Sequence, residues 1–208
     1  MERARQLVSA IIAGMLIGMG GTVYLSQSNP VIGSFLFAIG LYTIVVFQLH
    51  LFTGKIGYTP FQKPIYVIEL VITWFGNLLG TGLTALMVKN SRIGVPLVEK
   101  VMGIADVKLN DNFFSIFLLA IFCGMLMFIA AEGFKTIENP VGKMLAVFLP
   151  VMAFILSGYE HCIANMFYYT VAQVWSANAF VYLLVMTLGN AVGGMFIPLV
   201  RKGFIKAE

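Results

Sequence analysis

Six long runs of apolar side chains cross this sequence, and their length decides the solvent in which it can fold. They extend over Leu7–Leu25, Val31–Phe52, Tyr66–Val88, Phe113–Ala131, Met144–Gly158 with an irregular continuation to Thr170, and Ala177–Val200. Each supplies the roughly 20 residues that a helix, rising about 1.5 Å per residue, needs to cross a hydrocarbon layer. Composition agrees, with 60% of the 208 residues hydrophobic and only 11% charged, against about 25% charged in an average soluble domain. The expected fold class is an all-α polytopic membrane protein with six transmembrane helices, residues 1–208 forming a single transmembrane domain. A membrane barrel would show short alternating segments of about ten residues, and the sequence has none.

Arg3 and Arg5 precede the first run, the arrangement of a secretory signal, but the run is long and lacks a small-residue cleavage site. It is read as a retained first helix. With the amino terminus cytoplasmic, the inside segments hold Arg3, Arg5, Lys55, Lys63, Lys135, Lys143, Arg201, Lys202 and Lys206, nine of the thirteen basic residues. The other four, Lys89, Arg92, Lys100 and Lys108, share one outside loop with Glu99, Asp106 and Asp111. Both termini are therefore expected on the cytoplasmic side of the cell membrane. The net charge of +4 is explained by that face alone and calls for no nucleic acid. Cys123 and Cys162 fall inside apolar spans and read as buried small hydrophobes rather than a disulfide.

Short words recur along the chain. "AGMLIG" at Ala13–Gly18 is echoed by "CGMLMF" at Cys123–Phe128, and "FGNLLG" at Phe75–Gly80 by "LGNAVG" at Leu188–Gly193. Gly14 and Gly124 lie 110 residues apart, Asn77 and Asn190 lie 113 apart. Such offsets predict two homologous halves, about 1–105 and 106–208. Three spans per half make the second half enter from the opposite side, an inverted repeat of the kind common in transporters. The same offset pairs "QLHLFTGK", Gln48 to Lys55, with "GYEHCIAN", Gly158 to Asn165. Both interrupt an apolar span with polar groups and a glycine. Irregular backbone at membrane depth survives only where protein or a wet cavity satisfies it, so the second and fifth helices are expected to break, near Leu51–Gly54 and Gly158–Asn165, beside a permeation path.

At these residues the chain resembles the formate/nitrite transporter family of anion channels. The carrying motifs are "LFTG" (Leu51–Gly54), "SGYEHCIANMF" (Ser157–Phe167) and "GNAVGG" (Gly189–Gly194), the second being the most specific. The resemblance implies an aquaporin-like subunit with its own pore, a homopentamer in the lipid bilayer, and small monovalent anions such as formate, nitrite or hydrosulfide as substrates. It places the family's central histidine on His161, the preceding glutamate on Glu160, the pore threonine on Thr53 and the sixth-span asparagine on Asn190. It also implies apolar constrictions at Leu51 with Phe52 and at Phe154, and matches a lysine ahead of the fourth span to Lys108. The chain departs from the family pattern at Gln48, Leu49 and His50 before the first motif, and at Gly124, where many relatives carry asparagine.

The chemistry can be argued without the family. A bare anion entering hydrocarbon meets a large desolvation cost, which protonation to the neutral acid or a charge-assisted hydrogen bond reduces. A histidine between apolar constrictions supplies either, making His161 the leading candidate. Thr53 and Asn190 add neutral donors that keep binding weak enough for release. Lys108 at the mouth raises the local anion concentration. Glu160 reads as support for the broken helix, because a bare carboxylate in the path would repel anions, and Glu69 as an interfacial or intersubunit partner. His50 is either a second pore imidazole or a helix-end residue. Other classes stay open: an aquaporin-like channel for small neutral solutes, which needs no Lys108, or a haem protein using His50 and His161. No metal-ligand cluster, phosphate loop or nucleophile–base pair marks an enzyme, and no cofactor is expected.

Overall fold

The computed structural model describes residues 1–204; Lys206, counted above with the cytoplasmic basic residues, lies outside them. The described chain is helical: α1 (Glu2–Leu25), α2 (Pro30–Val46), α3 (Phe52–Lys55) running on as a 3-10 turn (Ile56–Phe61), α4 (Tyr66–Lys89), α5 (Gly94–Leu109), α6 (Phe113–Thr136), α7 (Pro140–Leu156), α8 (Cys162–Ala172) and α9 (Ala177–Phe204). Four of these, α1, α4, α6 and α9, are long and apolar enough to cross a membrane. The apolar helices α2 and α7 have 17 residues each, about 25 Å of rise, short of a hydrocarbon core of about 30 Å.

Local chemistry sets their ends. Pro30 and Pro140 occupy the first helical turn, where a missing N–H costs nothing, and Asn29 and Asn139 precede them as caps. The Asn29 side chain accepts from the N–H groups of Val31 and Ile32, that of Asn139 from Gly142 N–H. Both helices stop on one motif. Gln48 takes φ 53° and Gly158 φ 68°, while Leu49 N–H donates back to Ile44 O and Tyr159 N–H to Phe154 O, each at 2.9 Å. A left-handed residue followed by this six-residue closure is a Schellman stop. The non-helical stretches are thus Phe47–Leu51 and Ser157–His161, a little earlier than expected: Phe52–Gly54 and Cys162–Asn165 already belong to the restarted helices.

Two nodes tie these breaks to the long helices. Asn77 on α4 accepts from Phe52 N–H through Oδ1 (2.9 Å) and donates through Nδ2 to Ala10 O (2.8 Å) and His50 O (2.9 Å). Asn190 on α9 accepts from Cys162 N–H (2.9 Å) and donates to Ala120 O (2.8 Å) and Glu160 O (2.7 Å). Each asparagine thereby satisfies backbone groups that a broken helix leaves open in a medium without water. Close helix approach makes this possible. A Cβ on Gly80 would lie 2.0 Å from Ile11 O and one on Gly193 1.9 Å from Ile121 O, so α1 packs on α4, and α6 on α9, backbone to backbone.

Helix α8 sits at the centre, with Cys162 through Tyr169 buried without interruption, and it packs against α1, α4, α5 and α9. The stretch from Lys89 to Asp111, expected as an outside loop, instead contains α5. Its buried Leu97, Val101 and Ala105 recur every fourth residue and lie against the core, a helical period obscured in the sequence by the charges between them.

Candidate functional site

His161 is the N-cap of α8 and is 2% exposed. Its Nδ1 accepts from Ala164 N–H at 3.0 Å. A neutral imidazole carries one hydrogen, so this cap assigns it to Nε2. Nε2 lies 2.9 Å from Thr53 Oγ1 on α3, which therefore accepts from the ring. Phe154 stacks on the imidazole with ring centroids 5.5 Å apart and planes at 23°. The two break motifs, 108 residues apart at this bond, thus meet at one histidine–threonine pair.

Two cavities lie near this pair, one lined by His161 itself and one by Leu51 and Gly54, which flank Phe52 and Thr53 in the chain. One, of about 590 Å³, is lined by Gln48, His50, Leu51, Gly54, Lys55 and Lys135 among others. The other, of about 450 Å³, ends at Phe154, His161 and Ala164 and is flanked by Lys108, Asp111 and Glu160. Leu51, in the wall of the first cavity, is buried, as are Phe52 and Thr53, which line neither.

Two sequence expectations change here. Asn190 has both amide hydrogens committed to Ala120 O and Glu160 O, leaving none for a solute, so it clamps the break instead of acting as a pore donor. Lys108 is not a free loop charge. It lies in the last turn of α5, and its Nζ donates to both carboxylate oxygens of Glu160 at 2.7 and 2.6 Å, with side chains 13% and 4% exposed. Glu160 also accepts from Asn165 Nδ2 at 2.8 Å. The carboxylate thereby neutralises the lysine and joins α5 to the start of α8.

His50 is held by Ser9, whose Oγ lies 3.0 Å from Nδ1 and accepts from the His50 N–H at 3.1 Å. The structural roles of Asn77, Ser9 and Asn165 were missed from sequence. Asn77 carried a signal in the "GN" word it shares with Asn190, and Asn165 in the polar motif that interrupts the fifth span, whereas Ser9 carried none. Among the described residues there is no cluster of three or more metal-ligating side chains.

A membrane-embedded helical fold with a buried hydrogen-bonding pair beside two cavities is the layout of a protein that handles small solutes in the bilayer. The chain belongs to the formate/nitrite transporter family, whose profile, described as Formate/nitrite transporter, matches residues 1–201. It is 30% identical to a Bacillus subtilis protein named as the uncharacterized transporter YrhG, over 83% of this chain and 70% of that one. It is 27% identical to the formate-nitrite transporter of Plasmodium falciparum, over 97% of this chain and 78% of the relative. Among solved structures, a pentameric formate channel with formate bound superposes with a TM-score of 0.79 at 26% identity, covering 95% of both chains. These homologues are transporters and channels, not enzymes, and the chain is a membrane anion channel or transporter.

Proposed function

We propose that this protein conducts small monovalent anions, formate, nitrite or hydrosulfide, through a pore in each subunit of a homopentamer in the cell membrane. The single observation that carries this reading is the buried His161–Thr53 pair, with one cavity lined by His161 and a second by the residues flanking Phe52 and Thr53. In the reading, α2 with α3 and α7 with α8 complete two further spans beside the four long helices. The six are arranged as two inverted, aquaporin-like repeats over about 1–105 and 106–208. The recurrence of caps, stops and asparagine clamps in both halves supports this. Both termini lie in the cytoplasm, as the placement of basic residues favours.

Leu51 with Phe52 on one side and Phe154 on the other form the apolar constrictions, and between them water is too scarce to solvate an ion. The Nε2–H of His161 turns from Thr53 Oγ1 to the permeating anion and returns when it leaves, with the Thr53 hydroxyl as the second donor. The Ala164 N–H aimed at Nδ1 opposes a second ring proton there, so the histidine works as a neutral hydrogen-bond donor. Glu160 holds the start of α8 in shape and Lys108 frames the outer mouth through it.

Flux of formate into liposomes, measured against pH with oligomer size checked in parallel, tests the histidine. His161→Phe removes the donor and lowers flux about ten- to a hundredfold, the factor matching a lost charge-assisted hydrogen bond of about 1.5–3 kcal/mol. His161→Asn keeps both a cap acceptor and a donor and retains part of the flux. Wild-type flux from correctly assembled His161→Phe protein would remove the histidine from the mechanism.

A further inference from the structure

The two cavities differ in charge. Beside His161 the cations are compensated: Lys108 is held by Glu160, Lys100 donates to the carbonyl of Leu25, and Asp111 joins the wall. The 590 Å³ cavity on the other side is lined by Lys55, Lys135 and Lys143, with His50 and Gln48, and by no carboxylate. Lys108–Glu160 is the one ion pair among the described residues, so none of these three lysines has a carboxylate within bonding distance. Glu69 and Glu132 act through space on Lys55 and Lys135, but neither lines the cavity. Glu132 accepts from Tyr58 Oη at 2.9 Å, and Glu69 lines the neighbouring cavity with Arg3 and Arg5, on the other side of His50.

Aromatic faces steady two of the ammonium groups. Lys135 Nζ lies 3.9 Å from the Tyr58 ring centroid and Lys143 Nζ 5.6 Å from that of Phe134. Three cations lining one partly enclosed cavity, with no carboxylate in the lining, set up a positive potential there; the attraction of a guest to it scales with the guest's charge, so the Coulomb attraction of a doubly charged anion is twice that of a singly charged one. The cavity is also of the size that small-molecule sites typically have, about 300–1,000 Å³. Leu51 lines it, and Leu51 and the following Phe52 are both buried.

We propose that this cavity is a binding site for small dianions, such as a dicarboxylate or inorganic phosphate, which seat among Lys55, Lys135 and Lys143 and stop there. A bound dianion occupies the approach to Leu51 and blocks the pore from that face, cytoplasmic in the proposed orientation. The blocking step rests on the pore reading; the binding does not.

Calorimetric titration of the purified protein in detergent, with oxalate, inorganic phosphate and formate compared at equal ionic strength, tests the site directly. The expected result is dianion binding on the order of tenfold tighter than formate. The combined Lys55→Gln, Lys135→Gln and Lys143→Gln variant loses that preference, while the matching arginine variant, which keeps the charges and checks that the fold tolerates exchange, retains it. Equal affinities for oxalate and formate in the wild type, or an unchanged preference in the glutamine variant, would overturn the site. So would binding of phosphatidic acid in nanodiscs with no response to either free dianion, which would make the cavity a headgroup pocket. In liposomes, oxalate on the lysine-lined face slows formate flux and oxalate on the other face does not; block from both faces alike removes the proposed route of inhibition. Lysine-dependent dianion binding by a protein that passes no anion would keep the site and sink the transport reading instead.

Discussion

At the scale of single residues, the two helix stops differ by one side chain. Gly158 adopts its left-handed φ of 68° freely, whereas Gln48 adopts 53° against the contact between its Cβ and the neighbouring carbonyl. Gln48→Gly should therefore raise stability by about 0.5–1 kcal/mol, and Gly158→Ala should lower it by about 1 kcal/mol. Thermal unfolding in detergent reads both. A loss of stability in Gln48→Gly would mean that the glutamine side chain contributes more than its backbone conformation costs. The same scale holds the assignment of the His161 proton. The ring's tautomer follows from one backbone N–H, that of Ala164, and the neighbouring Phe154 face leaves Nε2 as the edge that meets Thr53.

At the scale of elements, a broken helix is stable only if something else satisfies the peptide groups it releases. Asn77 and Asn190 do this for α3 and α8, each by one accepted and two donated hydrogen bonds. Replacing Asn190 with Leu leaves Cys162 N–H, Ala120 O and Glu160 O without that partner in a buried site. At about 1–3 kcal/mol per orphaned group, the loss is a large fraction of a domain's stability. Asn190→Leu is expected to reduce the yield of assembled protein sharply, and Asn77→Leu likewise, whereas Asn190→Asp, which keeps the acceptor alone, falls between. Size-exclusion profiles and unfolding temperatures measure this. A well-assembled Asn190→Leu protein with reduced flux only would return Asn190 to the pore.

At the scale of the whole molecule, the outer surface carries two matched apolar stripes. Phe75, Leu79, Leu83 and Leu86 run along α4, and Leu188, Val192, Phe196 and Leu199 along α9, all exposed and each stripe at the same helical spacing. Side chains of this kind face lipid or a neighbouring subunit, since water would not tolerate such continuous patches. The proposed pentamer would cover part of this surface, and the protein mass in detergent, separated from bound detergent by light scattering, is expected to equal five chains. A stable monomer would refute the assembly and leave both stripes to lipid.

What the sequence determined by itself follows from periodicity and solvent. Apolar run lengths make the protein membrane-embedded, and the recurring words around Gly14, Asn77, Gly124 and Asn190 mark positions that recur along the chain, because these signals are local and each is carried by a few neighbouring residues. The motif holding His161 was legible too, since polar groups inside an apolar span have few uses. Tertiary structure alone decided where each polar group is spent. Asn190 reads from sequence as a free donor and proves to be a clamp because Ala120 and Glu160, 70 and 30 residues away, present their carbonyls to it. Lys108 reads as a solvated charge and is paired because α5 is a helix whose last turn lies over Glu160, 52 residues on. The loose lysines of the other cavity come from α3, α6 and α7, and nothing in any one segment shows that they converge. Hydrogen-bond and charge partners are set by distance in space, and in this chain they are joined across breaks whose exact position depends on the partners themselves.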